Sequence, residues 1–177
     1  MGIPEVKQER PELTNLMEIA AQAKIGPARV GQTFSETLRI LGQPSHLDFR
    51  YDDMFDGTLR YGPLEIFFRI NGENVSSYLV QLHLFRKTTG RNLRINKEIS
   101  FERPEKADLS YDRVQQSMQD THVQYKTNTA DRVKEGMHPF MEFDEKVRFY
   151  FLGFGRGGAL QLSYIELGDF RDTTTFR

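Results

Sequence analysis

The chain has 177 residues, 38% of them hydrophobic and 12% aromatic, with 14 Phe, 7 Tyr and no Trp, enough apolar material for one real core and too much for disorder along most of its length. Twenty-four Lys and Arg balance 25 Asp and Glu, so only a local patch, not the whole molecule, can attract nucleic acid or an anionic membrane. Cysteine is absent, which excludes disulfides, zinc–thiolate sites, iron–sulfur clusters and a cysteine nucleophile, and fits a reducing compartment.

Residues 1–12 are charged and proline-punctuated, without the apolar stretch of a signal peptide, and read as a flexible lead-in. No apolar run approaches a membrane span, so the expected location is cytoplasmic. From Pro11 to Lys24, Leu13, Leu16, Met17, Ile19, Ala20 and Ala23 fall mostly at helical spacing, and Gly26-Pro27 is the expected stop. Thr33 followed by Glu36 is a capping box. Phe34, Leu38 and Leu41 then share a face, Gly42 suits the left-handed position after a helix, and Pro44 prevents continuation. A capped helix of about two turns follows from that pattern.

Leu47-Asp48-Phe49 leads into a polar stretch with Asp52, Asp53, Asp56 and Gly57. Leu64 to Phe68 reads as a strand, Asn71-Gly72 as a turn, and Val75 to Phe85 as a longer strand with Gln81 and His83 on a wetter face. Residues 86–97 read as a loop or irregular hairpin, and Ile99 to Phe101 as a short strand. Ser110 caps a helix carrying Tyr111, Val114 and Met118. Phe140 to Phe143, a strand from Val147 to Leu152, a glycine-rich turn and Leu160 to Leu167 complete the domain, and 169–177 form a polar tail.

The expected fold is α+β: an antiparallel sheet of about six strands with short helices on one face, spanning 13–168. Its core is expected from Leu38, Leu41, Ile66, Phe68, Leu82, Leu84, Phe149, Phe151 and Leu162. The segments 31–85 and 109–167 agree in outline. Thr33, Phe34 and Leu41 match Ser110, Tyr111 and Met118 at one offset. After a one-residue gap His46, Leu47 and Phe49 match His122, Val123 and Tyr125. Two readings stay open: a tandem helix-plus-hairpin repeat, or two hairpin units alike in plan alone. The missing Gly-x-Pro stop in the second half weighs against the repeat.

Gly31-x-Thr33, then Leu41-Gly42-x-Pro44 and strands, resembles the helix entry of small lipoproteins of the outer-membrane-assembly type, over about fourteen residues. The tandem plan is similar to that of the β-lactamase-inhibitor proteins. The resemblance implies a binding surface on a sheet and no active site. The lipobox cysteine needed for the lipoprotein role is absent.

Three chemistries compete for the polar segments. Asp48, Asp52, Asp53 and Asp56 form an acidic surface that would attract a basic protein partner and speed encounter. A metal-dependent hydrolase or phosphoryl-transfer enzyme is the alternative use of the same carboxylates, although their spacing is not that of a calcium loop. Arg86, Lys87, Arg91, Arg94 and Lys97 give five positive charges and no acid in twelve residues, a candidate anion or nucleic-acid site without interleaved aromatics. His46, His83, His122 and His138 are scattered without metal-ligand spacing. Gly153 to Gly158 lacks the Lys-Ser/Thr ending of a phosphate loop and precedes a strand, so it reads as a hairpin turn. The leading expectation is a non-enzymatic protein-binding module of inhibitor or immunity type, with no catalytic residue, metal or cofactor. Its partner would be another protein; nucleic acid is the lesser alternative.

Overall fold

A computed structural model describes residues 11–50, 56–71, 73–85, 92–97, 99–102, 109–128, 138–153 and 159–171. The candidate residues Asp52, Asp53, Arg86, Lys87 and Arg91 lie outside them.

Three helices line one face of the sheet. Helix α1 (Pro11–Gln22) buries Leu16, Ile19 and Ala20. It stops before the expected Gly26-Pro27 because Ala23 takes a left-handed φ of 49°; its N–H still bonds Ile19 O, at 3.0 Å. Gly26-Pro27 instead sits in a tight turn closed by paired Ile25 and Ala28. Helix α2 (Phe34–Leu41) has the capping box: Thr33 Oγ1 accepts from Glu36 N at 3.1 Å, and Glu36 Oε2 accepts from Thr33 N at 2.9 Å. Helix α3 (Tyr111–Asp120) has only half of that device, with Ser110 Oγ accepting from Arg113 N at 3.4 Å. No helix among the described residues is long and apolar enough to cross a membrane.

The main sheet is antiparallel and eight-stranded, two strands wider than expected. Its strands are β1 (His46–Arg50), β2 (Asp56–Tyr61), β3 (Leu64–Asn71), β4 (Asn74–His83), β7 (Lys126–Thr127), β8 (Phe140–Phe143), β9 (Val147–Gly153) and β10 (Leu160–Leu167). A separate ribbon pairs β5 (Asn92–Arg94) with β6 (Ser100–Glu102). The expected polar stretch conceals β2, where Leu59 and Tyr61 alternate with Thr58 and Arg60 and are fully buried. Its return to β3 turns at Gly62, where φ is 57° and a Cβ would lie 2.6 Å from Arg94 O, so only glycine fits.

The strand order, β1-β2-β3-β4-β10-β9-β8-β7, divides the sheet into two four-stranded meanders joined by their last strands. β4 and β10 pair only over Val80–His83 and Tyr164–Leu167. Beyond that overlap, each inner edge is taken by the lead-in to a helix: Thr33 bridges Ser76 and Ser110 bridges Gln161. Leu162 N donates to Leu109 O at 2.8 Å and Ser77 N to Gln32 O at 2.8 Å. Each half therefore repeats lead-in, helix and meander. Phe34 meets Phe68 edge to face at 5.4 Å, and Tyr111 meets Phe151 in the same way at 4.9 Å. Leu41 and Met118 are both buried, as are Thr37 and Val114.

Of the core residues read from sequence, all are buried except Leu38, which packs against the core partly covered. The match of His46 to His122 fails. Ladder pairing sets His46 (opposite Arg60) against Lys126 (opposite Glu142), while His122 lies in the turn after α3 with φ 56°. Helix spacing could not reveal this, because the connections from α2 to β1 and from α3 to β7 differ in length.

Candidate protein-binding face

The sheet face opposite the helices carries a continuous polar row, one residue from each of the eight strands. In strand order it runs His46, Arg60, Glu65, Gln81, Glu166, Arg148, Glu142, Lys126, each paired in register with the next. Directly opposed residues share a face, so these side chains stand side by side across the strands. Arg60 Nε donates to Glu65 Oε1 at 2.7 Å. Gln81 Nε2 donates to Glu166 Oε1 at 2.6 Å. Arg148 Nε donates to Glu142 Oε2 at 2.7 Å, and its Nη2 lies 2.7 Å from the same oxygen. Lys126 reaches outward to Glu145 at 3.4 Å.

The two ion pairs occupy equivalent places in the halves with their charges exchanged. Glu65 on β3 corresponds to Arg148 on β9, and Arg60 on β2 to Glu142 on β8. Glu65 and Arg148 are each only 8% exposed. A buried charge is tolerated only when paired and hydrogen-bonded, which is what each row neighbour supplies.

An aromatic row lies one pleat away on the same face: Phe140, Tyr150, Tyr164 and His83, in register across β8, β9, β10 and β4. Tyr164 joins this row by alternation from Glu166, and the bulge between Leu162 and Tyr164 lies just beyond it, setting Leu162 opposite Phe151 in the core. Tyr150 and Tyr164 stack at 4.6 Å and 11°, Phe140 tilts against Tyr150 at 5.4 Å, and His83 against Tyr164 at 5.9 Å. His83 Nε2 is 3.4 Å from Glu65 Oε2, close enough for an ion pair when protonated, without the geometry of a hydrogen bond. Burial pushes the Tyr150 hydroxyl up to about 12, helped by the Glu166 carboxylate and opposed by Arg148. That phenol stays a neutral hydrogen-bonding group. Cations on this face also use rings: the Arg148 guanidinium lies 4.5 Å from the Phe140 centroid and 4.0 Å from Phe170, and Arg69 lies 4.5 Å from Tyr78.

The candidates from sequence fall around this face unevenly. Asp48 is exposed on edge strand β1, opposite Thr58 and two residues along from His46, so it shares the open face. Asp56 opens β2, in register with Arg50 and Arg69. The described acidic residues thus belong to strands, not to the loop that was expected. Arg94 and Lys97 are exposed on the ribbon, which tucks Leu93 and Ile95 into the core; Asn96 Nδ2 donates to Leu41 O at 3.1 Å. Arg94 Nε donates to Asn96 O at 3.0 Å. His122 and His138 are exposed in connections, and among the described residues no three His, Asp or Glu side chains gather to hold a metal ion.

Sequence reading missed Glu65, Glu142, Arg148, Tyr150, Tyr164 and Glu166. A signal existed for two of them: Glu65 and Arg148 are lone charges in apolar strands, out of phase with their hydrophobic neighbours. No protein-family model, curated protein or solved structure matches this chain.

Proposed function

We propose that this chain is a non-enzymatic protein-binding module of inhibitor or immunity type, which captures its partner on the open face of the sheet. The observation that carries this reading is the pairing of the polar row with the aromatic row. Partly exposed Tyr164, Tyr78, Phe67 and Leu79 supply broad, stiff contact area, and the ion-paired row supplies directional polar groups already held in place. Side chains fixed before binding lose little entropy on association. Asp48 puts a carboxylate on edge strand β1, and the sequence adds Asp52, Asp53 and Asp56 after it, charges that would steer a basic partner. The lack of cysteine is compatible with a role in a reducing compartment.

The test is affinity capture from the native lysate with four baits: wild type, Tyr164→Ala, Asp48→Lys, and the helix-face control Arg39→Glu. One stoichiometric partner is expected with wild type and the control, lost with Tyr164→Ala and weakened with Asp48→Lys. Retention of the same partner by Tyr164→Ala, with its circular dichroism unchanged, overturns the assignment of this face.

A further inference from the structure

We infer that β1 is the joint of a two-fold dimer, in which its outer edge pairs antiparallel with β1 of a second copy about an axis at Leu47. The dimer goes beyond capture of a partner on the open face and does not depend on it.

The first argument is the contrast between the two ends of the sheet. β7 ends it with two residues, and Lys126 stands there 77% exposed. Short strands and lysines are the usual protection of an edge against pairing with another chain. β1 ends the other side with five residues, His46–Arg50, and neither lysine nor proline is among them. From Ser45 to Phe49 every residue is exposed. Leu47, at 47%, and Phe49, at 37%, are two of the three large hydrophobic side chains so exposed among the described residues. Solvent therefore reaches the strand along this run.

The second argument is the ladder. In antiparallel pairing the N–H and C=O of a residue point to the same neighbour, and the direction alternates along the strand. His83 N donates to Pro63 O at 2.9 Å, so Glu65 and Phe67 of β3 bond β4, while Leu64 and Ile66 bond β2. By the same alternation Arg60 and Thr58 bond β1 through His46 and Asp48. Leu47 then turns its N–H and C=O to the outer edge, where two copies of it can exchange both hydrogen bonds across the axis.

The third argument is self-complementarity. A two-fold interface sets residue i against j and j against i. With Leu47 against Leu47, each His46 faces the second copy's Asp48 in a non-hydrogen-bonded pair, where side chains approach most closely. The apolar contact falls on the helix side and the two His–Asp contacts on the open face. Centring on Asp48 instead would set like charges directly opposite each other, which is destabilising. Asp48 is exposed and a carboxylate accepts several hydrogen bonds, so contacts within its own chain do not bar this one. The two open faces then lie side by side in one continuous sheet.

The experiment is sedimentation equilibrium of the full chain up to about 1 mM, where so small an edge contact should dimerise with a Kd of about 100 µM. Leu47→Lys changes an exposed side chain on the helix side. It should keep the circular dichroism and weaken the dimer by more than about tenfold, while Lys126→Gln at the far edge changes nothing. Asp48→Arg and His46→Glu should each lose about tenfold alone. Mixed in equal amounts they should regain the wild-type Kd, because the mixed dimer sets His46 against Asp48 and the introduced arginine against the introduced glutamate. A wild type that stays monomeric at about 1 mM overturns the second copy and leaves the edge to a strand of another protein. A Leu47→Lys chain that dimerises as wild type does, or a mixture no tighter than its parts, overturns the pairing centred on Leu47.

Discussion

In the first half of the sheet α2 presses Phe34 on Phe68, and in the second α3 presses Tyr111 on Phe151, from helices held to their inner strands by the bridges Thr33–Ser76 and Ser110–Gln161. On the helix side the halves are near copies. On the open side they diverge: the first half places Glu65 and Gln81 where the second places Arg148 and Glu166, and only the second builds the Phe140–Tyr150–Tyr164 stack. The helix side must fill space, and apolar residues of similar volume do that interchangeably. The open side is not bound by that packing requirement, and the proposed binding surface lies where the halves diverge.

The largest effects should come from the shared side. Phe68→Ala and Phe151→Ala each remove a fully buried ring, and each should cost about 3–5 kcal/mol in denaturant titrations. Because one sheet runs through both halves, either variant should lower a single unfolding transition; two separate transitions would break the equivalence.

The ion pairs should then separate the halves. Glu142→Ala leaves the nearly buried Arg148 without its partner, an expected cost of about 3–5 kcal/mol. Arg60 is 38% exposed and Glu65 still has His83 beside it, so Arg60→Ala should cost about 1 kcal/mol. Equal losses would show that exchange of the charges has no energetic consequence.

Helix capping gives a smaller contrast. Thr33→Ala removes a reciprocal box and should cost about 1 kcal/mol, and Ser110→Ala about 0.5 kcal/mol, since Arg113 cannot return the hydrogen bond.

The smallest effect is one of pH. The Thr33 backbone N–H, and then its hydroxyl, hold the Glu36 carboxyl below its ordinary 4.5. A carboxyl so lowered contributes stability that is present above 4.5 and lost as pH falls through its value in the folded protein. Amide exchange in the first turn of α2 should therefore lose protection on acidification relative to the first turn of α3, whose serine cap does not titrate.

The elements most legible in the sequence were those governed by local chemistry. The Thr33–Glu36 box, the Gly42 stop and the alternation in Leu64–Phe68 and Val147–Leu152 each depend on residues a few positions apart. β2 stayed hidden because Asp56 and Gly57 open it, and a Cβ at Gly57 would lie 2.7 Å from the Phe49 ring, a constraint visible only once β1 lies alongside. The ribbon strand Asn92–Arg94 was lost among the basic residues of its segment. The polar row was illegible for a deeper reason: it needs seven registers at once, and each depends on a turn length or a bulge. Glu65, Gln81, Glu166 and Arg148 span more than a hundred positions of chain and meet only in the sheet. His83 was placed on the wetter face of its strand, but nothing in its neighbours named Tyr164 as its companion.

The claim that the open face is the binding surface is tested most directly by photocrosslinking in the native cell, with a photoreactive residue placed at Gln81 or, separately, at Arg39 on the helix side. A discrete protein adduct at position 81, absent at 39 and lost when Tyr164→Ala is added, is the result this account requires. A discrete adduct at 39 with none at 81 would place the partner on the helices and contradict it.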